Sequence, residues 1–190
     1  EYRPVTPGVA GSSPVRSAKW FDASTALLGV PFFFVAEVSA MNARPAPARR
    51  ADYMHFTSIS TRWSDNDAYR HVNNVVYYGF FDTAVNRHLI DAGVLDLEAS
   101  PTVGLVVETQ CRYFAPISFP DRVTVGLRVA RIGGSSLRYE LAVFRNDEDE
   151  AAAEGHFVHV YVDRASQRPV PVPPEVREAV TPLLREGSAP

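Results

Sequence analysis

Hydrophobic and polar positions alternate with a period of two in four segments of the second half of the chain. Turn residues rather than helices separate these segments, among them Pro116, Pro120, Gly133 and Gly134. Such alternation predicts consecutive strands of an antiparallel sheet with short connections. The four predicted strands are Leu105–Phe114, Val123–Ala130, Leu137–Phe144 and His156–Asp163.

Two further elements precede these strands. The segment His55–Trp63 is rich in β-branched and aromatic residues and ends at a Ser-Asp-Asn-Asp cluster, which predicts a strand followed by a turn. The segment Asn74–Ala92 carries apolar residues on most of its surface, so we expect a long helix that is enclosed on most sides. Asn73 suits the N-cap of this helix, and Gly93 suits a left-handed residue at its end.

The order of the elements predicts an α+β fold in which one long helix packs on an antiparallel sheet of about five strands. One sheet face cannot cover a helix that is apolar on most sides, and the edges of an open sheet need protection. We therefore expect a homodimer or homotetramer. Pro173 and Pro174 precede a short amphipathic helix at the C-terminal end.

Residues 1–50 differ in composition from the rest, because Pro, Ala, Ser and Gly are scattered through them. This composition predicts a tail that is disordered or not native to the protein. The apolar run Thr25–Ala36 is shorter than the about 20 residues of a transmembrane helix and contains Pro31. We expect a folded domain over residues 54–172, followed by a short helix and tail over 173–190.

Composition narrows the classes of function. Hydrophobic residues make up 46% and charged residues 22% of the chain, which is typical of a globular protein. The net charge of −3 and the lack of a Lys/Arg run disfavour nucleic acid as a partner. The single cysteine, Cys111, cannot form an internal disulfide, which favours a reducing, cytoplasmic location. We expect no membrane attachment.

The most distinctive side chains lie between the first strand and the long helix, where Asp65, Asp67 and His71 precede the predicted N-cap. A carboxylate just before a helix faces free backbone N–H groups, and the same groups can polarise a substrate carbonyl. Attack and oxyanion stabilisation could thus share one site. The alternative is that both carboxylates build a turn.

The motif Asp67-x-x-x-His71-Val-Asn-Asn-x-x-Tyr77 resembles the signature of the 4-hydroxybenzoyl-CoA thioesterase-like hotdog proteins, in particular the acyl-CoA thioesterase branch. The resemblance continues through Arg112–Pro116 and Asp121–Gly126. It implies a hotdog fold, in which the sheet wraps around the central helix. It also implies hydrolysis of an acyl-coenzyme A thioester to the free acid and coenzyme A, without a cofactor.

The resemblance also implies roles for individual residues. The family residue matching Asp67 acts as nucleophile or general base, and the backbone amide matching Asn74 binds the thioester carbonyl. His71 would orient Asp67, line the pocket or bind backbone groups of the turn. Asp65 is the alternative carboxylate. Candidate substrate-binding residues are Asn73, Tyr77 and Glu108, the last of which faces opposite to Leu105, Val107, Thr109, Cys111 and Tyr113 in its predicted strand.

Other chemistries have weaker support. The Gly-x-Ser-x-Gly motif of serine hydrolases is absent, and the place of Cys111 in a strand predicts a packing role. His156 and His159 match no metal-ligand spacing, so no metal is expected. A hotdog hydratase is disfavoured, because His71 is the fourth residue after Asp67, whereas hydratases of this fold resemble one another in having a His at the fifth residue after the Asp. An acyl-carrier-protein thioesterase and a non-catalytic acyl-CoA-binding module stay open as alternatives.

Overall fold

The computed structural model describes residues 45–185 and contains one long helix and five strands. A short second helix follows the last strand. The predicted tail over residues 1–50 lies, up to residue 44, outside the described residues. The elements are β1 (His55–Ser60), α1 (Asn74–Asp91), β2 (Thr102–Tyr113), β3 (Arg122–Ile132), β4 (Ser136–Arg145), β5 (Ala153–Asp163) and α2 (Pro174–Val180).

The five strands form one sheet in the order β1-β3-β4-β5-β2, and every neighbouring pair is antiparallel. Strands β1 and β2 are the edges. The β3–β4 hairpin closes where the Gly133 N–H donates to Ser136 O at 2.8 Å. The predicted α+β hotdog architecture, one long helix on a five-stranded antiparallel sheet, is confirmed.

Helix α1 packs on one face of the sheet, which we call the inner face. Phe81, Ala84 and Val85 of the helix are fully buried against it. The ring of Phe81 meets Phe157 of β5 edge to face at 5.9 Å. The helix approaches β5 so closely at Gly155 that a Cβ there would lie 2.5 Å from a ring carbon of Phe81. The core therefore lies between α1 and the inner face.

The opposite side of α1 is exposed in the single chain, as expected if one sheet face cannot cover it, and its enclosure by a partner chain stays a prediction. Val75 is 62% exposed and Ile90 is 40% exposed. The physical reason is geometric, because a flat sheet covers only one side of a cylinder. Among residues 45–185, no helix combines the length and the apolar character needed to cross a membrane.

A β-bulge in β2 changes which residues share a face. The register of β2 against β5 shifts between Val106 and Glu108. Leu105 pairs with Val160 and Cys111 pairs with Gly155, and these partners are five residues apart. Because neighbouring strand residues point to opposite faces, Leu105 and Cys111 lie on different faces. The prediction that they face the same way is wrong.

The other face of the sheet, called the outer face, is partly covered by the segment before β1. Tyr53 is buried and packs edge to face on Phe144 at 5.9 Å between ring centroids. The backbone of Ala48 accepts a hydrogen bond from Ala151 N–H at 2.9 Å. The packed region thus begins before residue 54, the predicted boundary. At the other end, Val176 and Val180 of α2 belong to the main core.

Candidate functional site

Asp67 closes a tight turn between β1 and α1. Its Oδ1 accepts from the N–H of Tyr69 at 2.8 Å and of His71 at 3.5 Å, and its own N–H donates to His71 O at 2.8 Å. Aspartate favours such turns because its short side chain can bind the backbone two residues ahead. Asp67 is partly exposed, and within residues 45–185 its Oδ2 accepts no hydrogen bond.

The N-terminus of α1 follows directly. The predicted N-cap is confirmed, because Asn73 Oδ1 accepts from Val75 N–H at 3.1 Å. The N–H of Asn74 has no acceptor among the described residues. It lies at the positive end of the helix dipole, so it can donate to an oxygen that gains negative charge.

A surface cavity of about 280 Å³ adjoins the helix N-terminus, between α1 and the end of β2. His71, Asn74 and Tyr77 line it, together with Tyr113 and Pro116. Burial raises the pKa of Tyr77 to about 12, so its phenol is protonated at neutral pH. Three of the predicted site residues thus meet at one cavity, and Asp67 adjoins its wall through its hydrogen bonds with His71.

His71 contacts Asp67 through its backbone N–H and carbonyl groups rather than through its ring. It also lines the cavity. Of the interpretations open to the sequence, the structure therefore favours the turn and the pocket lining. Orientation of Asp67 by the imidazole finds no contact among the described residues.

Asp65 has a different environment from Asp67. Its side chain is 2% exposed and accepts from Arg62 through the backbone N–H at 2.7 Å, Nη2 at 2.9 Å and Nε at 3.0 Å. Its carbonyl accepts from Asn73 N–H at 2.8 Å. A carboxylate that is already paired and bonded in this way stabilises the turn and has little capacity left for a substrate.

Glu108 lies on the outer face, away from the cavity. Its carboxylate contacts His156 Nε2 at 2.8 Å and Arg138 Nη1 at 3.3 Å. The hydrogen bond with His156 lowers the pKa of Glu108. In the single chain the structure does not bring this predicted substrate-binding residue to Asp67.

Cys111 lies on the inner face and packs against the core. Burial raises the pKa of its thiol, which disfavours the thiolate form that nucleophilic attack requires. Within residues 45–185, no group of three or more His, Cys, Asp or Glu side chains is arranged to hold a metal ion.

Motif analysis missed several residues that contact the turn and the helix N-terminus. Tyr113 at the end of β2 donates from its hydroxyl to Asn74 O at 3.1 Å. Ser118 donates from Oγ to Arg70 O at 2.8 Å. These residues lie some forty positions downstream of their partners, so no local spacing indicates the contacts. The only signal in the sequence is that Tyr113 falls within Arg112–Pro116, where the family resemblance continues.

A sequence model of the thioesterase-like superfamily matches residues 61–180, which include the Asp67 turn, α1 and four strands. The chain belongs to this superfamily. The predictions of a hotdog thioesterase family and of a thioester hydrolase are thereby confirmed.

Several proteins of known structure are similar to this chain over most of its length. The PA5185 protein of Pseudomonas aeruginosa is 56% identical, with a TM-score of 0.72 over 75% of this chain and 99% of that chain. A thioesterase from Thermus thermophilus, solved with coenzyme A and Zn, is 32% identical, with a TM-score of 0.60 over 70% and 95% of the two chains.

A curated relative is the L-carnitine dehydrogenase/betainyl-CoA thioesterase of Agrobacterium fabrum. It is 27% identical over 145 residues, which are 74% of this chain. The match spans only 29% of that longer protein.

Proposed function

We propose that the protein hydrolyses an acyl-coenzyme A thioester to the free acid and coenzyme A. One observation carries the proposal: among the described residues, one carboxylate oxygen of the partly exposed Asp67 and the backbone N–H of Asn74 have no hydrogen-bond partner, and the two residues flank a short turn whose end lines a cavity. The coenzyme A bound to the Thermus thioesterase and the betainyl-CoA named for the Agrobacterium relative support this substrate class.

Asn74 and Asp67 have separate roles in the reaction. The thioester carbonyl accepts a hydrogen bond from Asn74 N–H, which stabilises negative charge on that oxygen. Asp67 either attacks the carbonyl carbon directly or removes a proton from an attacking water. In both routes the carbon–sulfur bond breaks and the thiolate of coenzyme A leaves and is protonated. In the nucleophilic route, water then hydrolyses the acyl-aspartyl anhydride and regenerates the carboxylate.

Asp67 is a better candidate than Asp65 because of their different hydrogen bonds. Asp65 is buried and fully engaged by Arg62, whereas Asp67 keeps one oxygen free among the described residues. A thioester needs no Ser-His-Asp triad, because its carbonyl is reactive and its leaving group is good. His71, Asn73 and Tyr77 complete the site as groups that shape the turn, cap the helix and line the cavity.

The Asp67→Asn variant tests the proposal. Asparagine keeps an Oδ1 for the N–H groups of Tyr69 and His71, so the turn and the fold are expected to persist. Loss of the negative charge should lower thioester hydrolysis by about 10²–10⁴-fold, with little effect on substrate binding. Thiol release from a panel of short, long and aryl acyl-CoAs measures the rate and identifies the acyl group.

Asp96→Asn is the matched control. Asp96 Oδ1 accepts from Glu98 N–H and Ala99 N–H, each at 2.8 Å, so it forms the same kind of turn in a loop outside the site. Its variant should keep the full rate. Full activity of Asp67→Asn would contradict the proposal. If only the Asp65→Asn variant lost thioester hydrolysis, the catalytic carboxylate would be Asp65 instead.

Two alternatives give different results in the same assays. A wild-type protein that binds acyl-CoA without releasing thiol is a binding module. Release from acyl carrier protein but not from coenzyme A thioesters identifies an acyl-carrier-protein thioesterase.

A further inference from the structure

Hydrogen bonds join the segment that connects β2 to β3 with the turn that precedes α1, at positions from Asn66 to Asn74. The residues involved are Tyr113, the last residue of β2, and the three consecutive residues 117–119. Four hydrogen bonds join the two segments: Phe119 N–H to Asn66 Oδ1 (3.0 Å), Ser118 Oγ to Arg70 O (2.8 Å), Val72 N–H to Ile117 O (2.7 Å) and Tyr113 Oη to Asn74 O (3.1 Å).

The connection is itself anchored to the sheet. Ile117 is fully buried in the main core. Ser118 N–H donates to Asp121 Oδ2 at 3.0 Å, and Asp121 N–H donates back to Ser118 O at 2.7 Å. Asn146, just after β4, donates to Asp121 Oδ1 at 2.8 Å. Ser118 therefore presents its hydroxyl from a fixed backbone.

The partner of that hydroxyl is a strained residue. Arg70 has a φ of 66°, a left-handed conformation that is unfavourable for a residue other than glycine. This conformation reverses the chain between Asp67 and His71, and Arg70 N–H donates to Asp67 O at 3.1 Å. If Arg70 relaxed, the carboxylate of Asp67 would move relative to Asn74 N–H.

We propose that Ser118 is a positioning residue for Asp67, which it holds in place through the carbonyl of Arg70. The proposal rests on the proposed thioester hydrolysis by Asp67. Ser118 does not touch the reacting atoms; its hydroxyl holds the carbonyl of Arg70, the left-handed residue at which the Asp67 turn reverses.

The Ser118→Ala variant is expected to lower kcat by about ten- to a hundredfold, because small displacements of a reacting group are costly. KM should stay within about twofold, since the substrate-binding surface is unchanged. Ser118→Thr keeps the hydroxyl and should restore most of kcat. Cysteine is similar in size to serine but is a weak donor, so the kcat of Ser118→Cys should resemble that of Ser118→Ala. Ser118→Cys can replace Ser118→Ala in this test if the alanine variant is unstable.

Ser166→Ala is the matched control. Ser166 Oγ donates to Asp163 Oδ1 at 2.6 Å in the exposed turn after β5, so the same type of hydroxyl contact is removed far from Asp67. Its kcat should equal that of the wild type. A purely structural role of Ser118 would lower the melting temperature without the selective loss of kcat and its rescue by threonine.

A double-mutant cycle with Asp67→Asn completes the test. If Ser118 acts through Asp67, Ser118→Ala should cause little further loss in the Asp67→Asn background. The same fold-loss in both backgrounds would overturn the positioning role. Full kcat of Ser118→Ala beside an inactive Asp67→Asn would overturn it as well, while leaving the proposed function intact. Full activity of Asp67→Asn would instead overturn the proposed function.

Discussion

We expect His159 to make the stability of the protein sensitive to acid. It lies on β5 with 3% of its surface exposed, and its ring centroid is 5.1 Å from that of Tyr139 and 5.9 Å from that of Phe157. Its Nε2 has no hydrogen-bond partner among the described residues. Burial lowers the pKa of His159 from 6.5 to about 4, because no nearby anion compensates a buried imidazolium.

The size and sign of the effect follow from proton binding in the two states. Between about pH 4 and 6.5 the unfolded chain binds a proton at His159 and the folded chain does not. The contribution of His159 to the free energy of unfolding is therefore fully present above about pH 6.5 and is lost as the pH drops towards 4. At 1.36 kcal/mol per pKa unit, the difference between the His159 pKa of 6.5 in the unfolded chain and about 4 in the folded chain corresponds to about 3 kcal/mol. Proteins of this size are stable by about 5–15 kcal/mol, so the loss is large.

Urea unfolding of the wild type and of His159→Gln across this pH range measures the effect. The wild type should lose about 3 kcal/mol more than the variant between about pH 7 and pH 4, because glutamine does not titrate. Parallel curves for wild type and His159→Gln would refute the assignment of acid sensitivity to His159.

Two further predictions concern packing and assembly. Gly155→Ala should destabilise the fold by about 1–3 kcal/mol or more, because the added Cβ would lie 2.3 Å from Gln110 O and 2.5 Å from Phe81. Gly79→Ala meets nothing within 4 Å and is the control in thermal unfolding; equal melting temperatures would contradict the packing argument. Light scattering should show a dimer or a dimer of dimers, because β2 is an edge strand with Val107 61% exposed. A stable monomer at micromolar concentration would contradict this.

Local patterns determined the elements and the position of the candidate site along the chain. The predicted helix Asn74–Ala92 matches α1 to within one residue, and the predicted N-cap Asn73 accepts from Val75 N–H. Periodicity and capping depend on residues close in the chain, which is why sequence alone suffices for them. The turn that contains Asp67 is partly local in the same sense, because the hydrogen bonds of Asp67 itself span no more than four residues.

Which carboxylate keeps a free oxygen depended on the folded structure. Asp65 and Asp67 are two residues apart in similar surroundings along the chain. In the fold, Asp65 is 2% exposed and bonded to Arg62, whereas Asp67 stays partly exposed. Burial depends on what packs above a residue, and a spacing pattern carries no information about that.

Tertiary structure also decided the faces and the distant contacts. The bulge between Val106 and Glu108 reverses which face of the sheet the residues before it point to. Simple alternation could therefore not assign the two faces of β2. Ser118 and Tyr113 meet the Asp67 turn and the α1 N-terminus only because the sheet brings residues some forty positions apart together. Such contacts depend on the order of the strands, β1-β3-β4-β5-β2, which alternation within each strand does not specify.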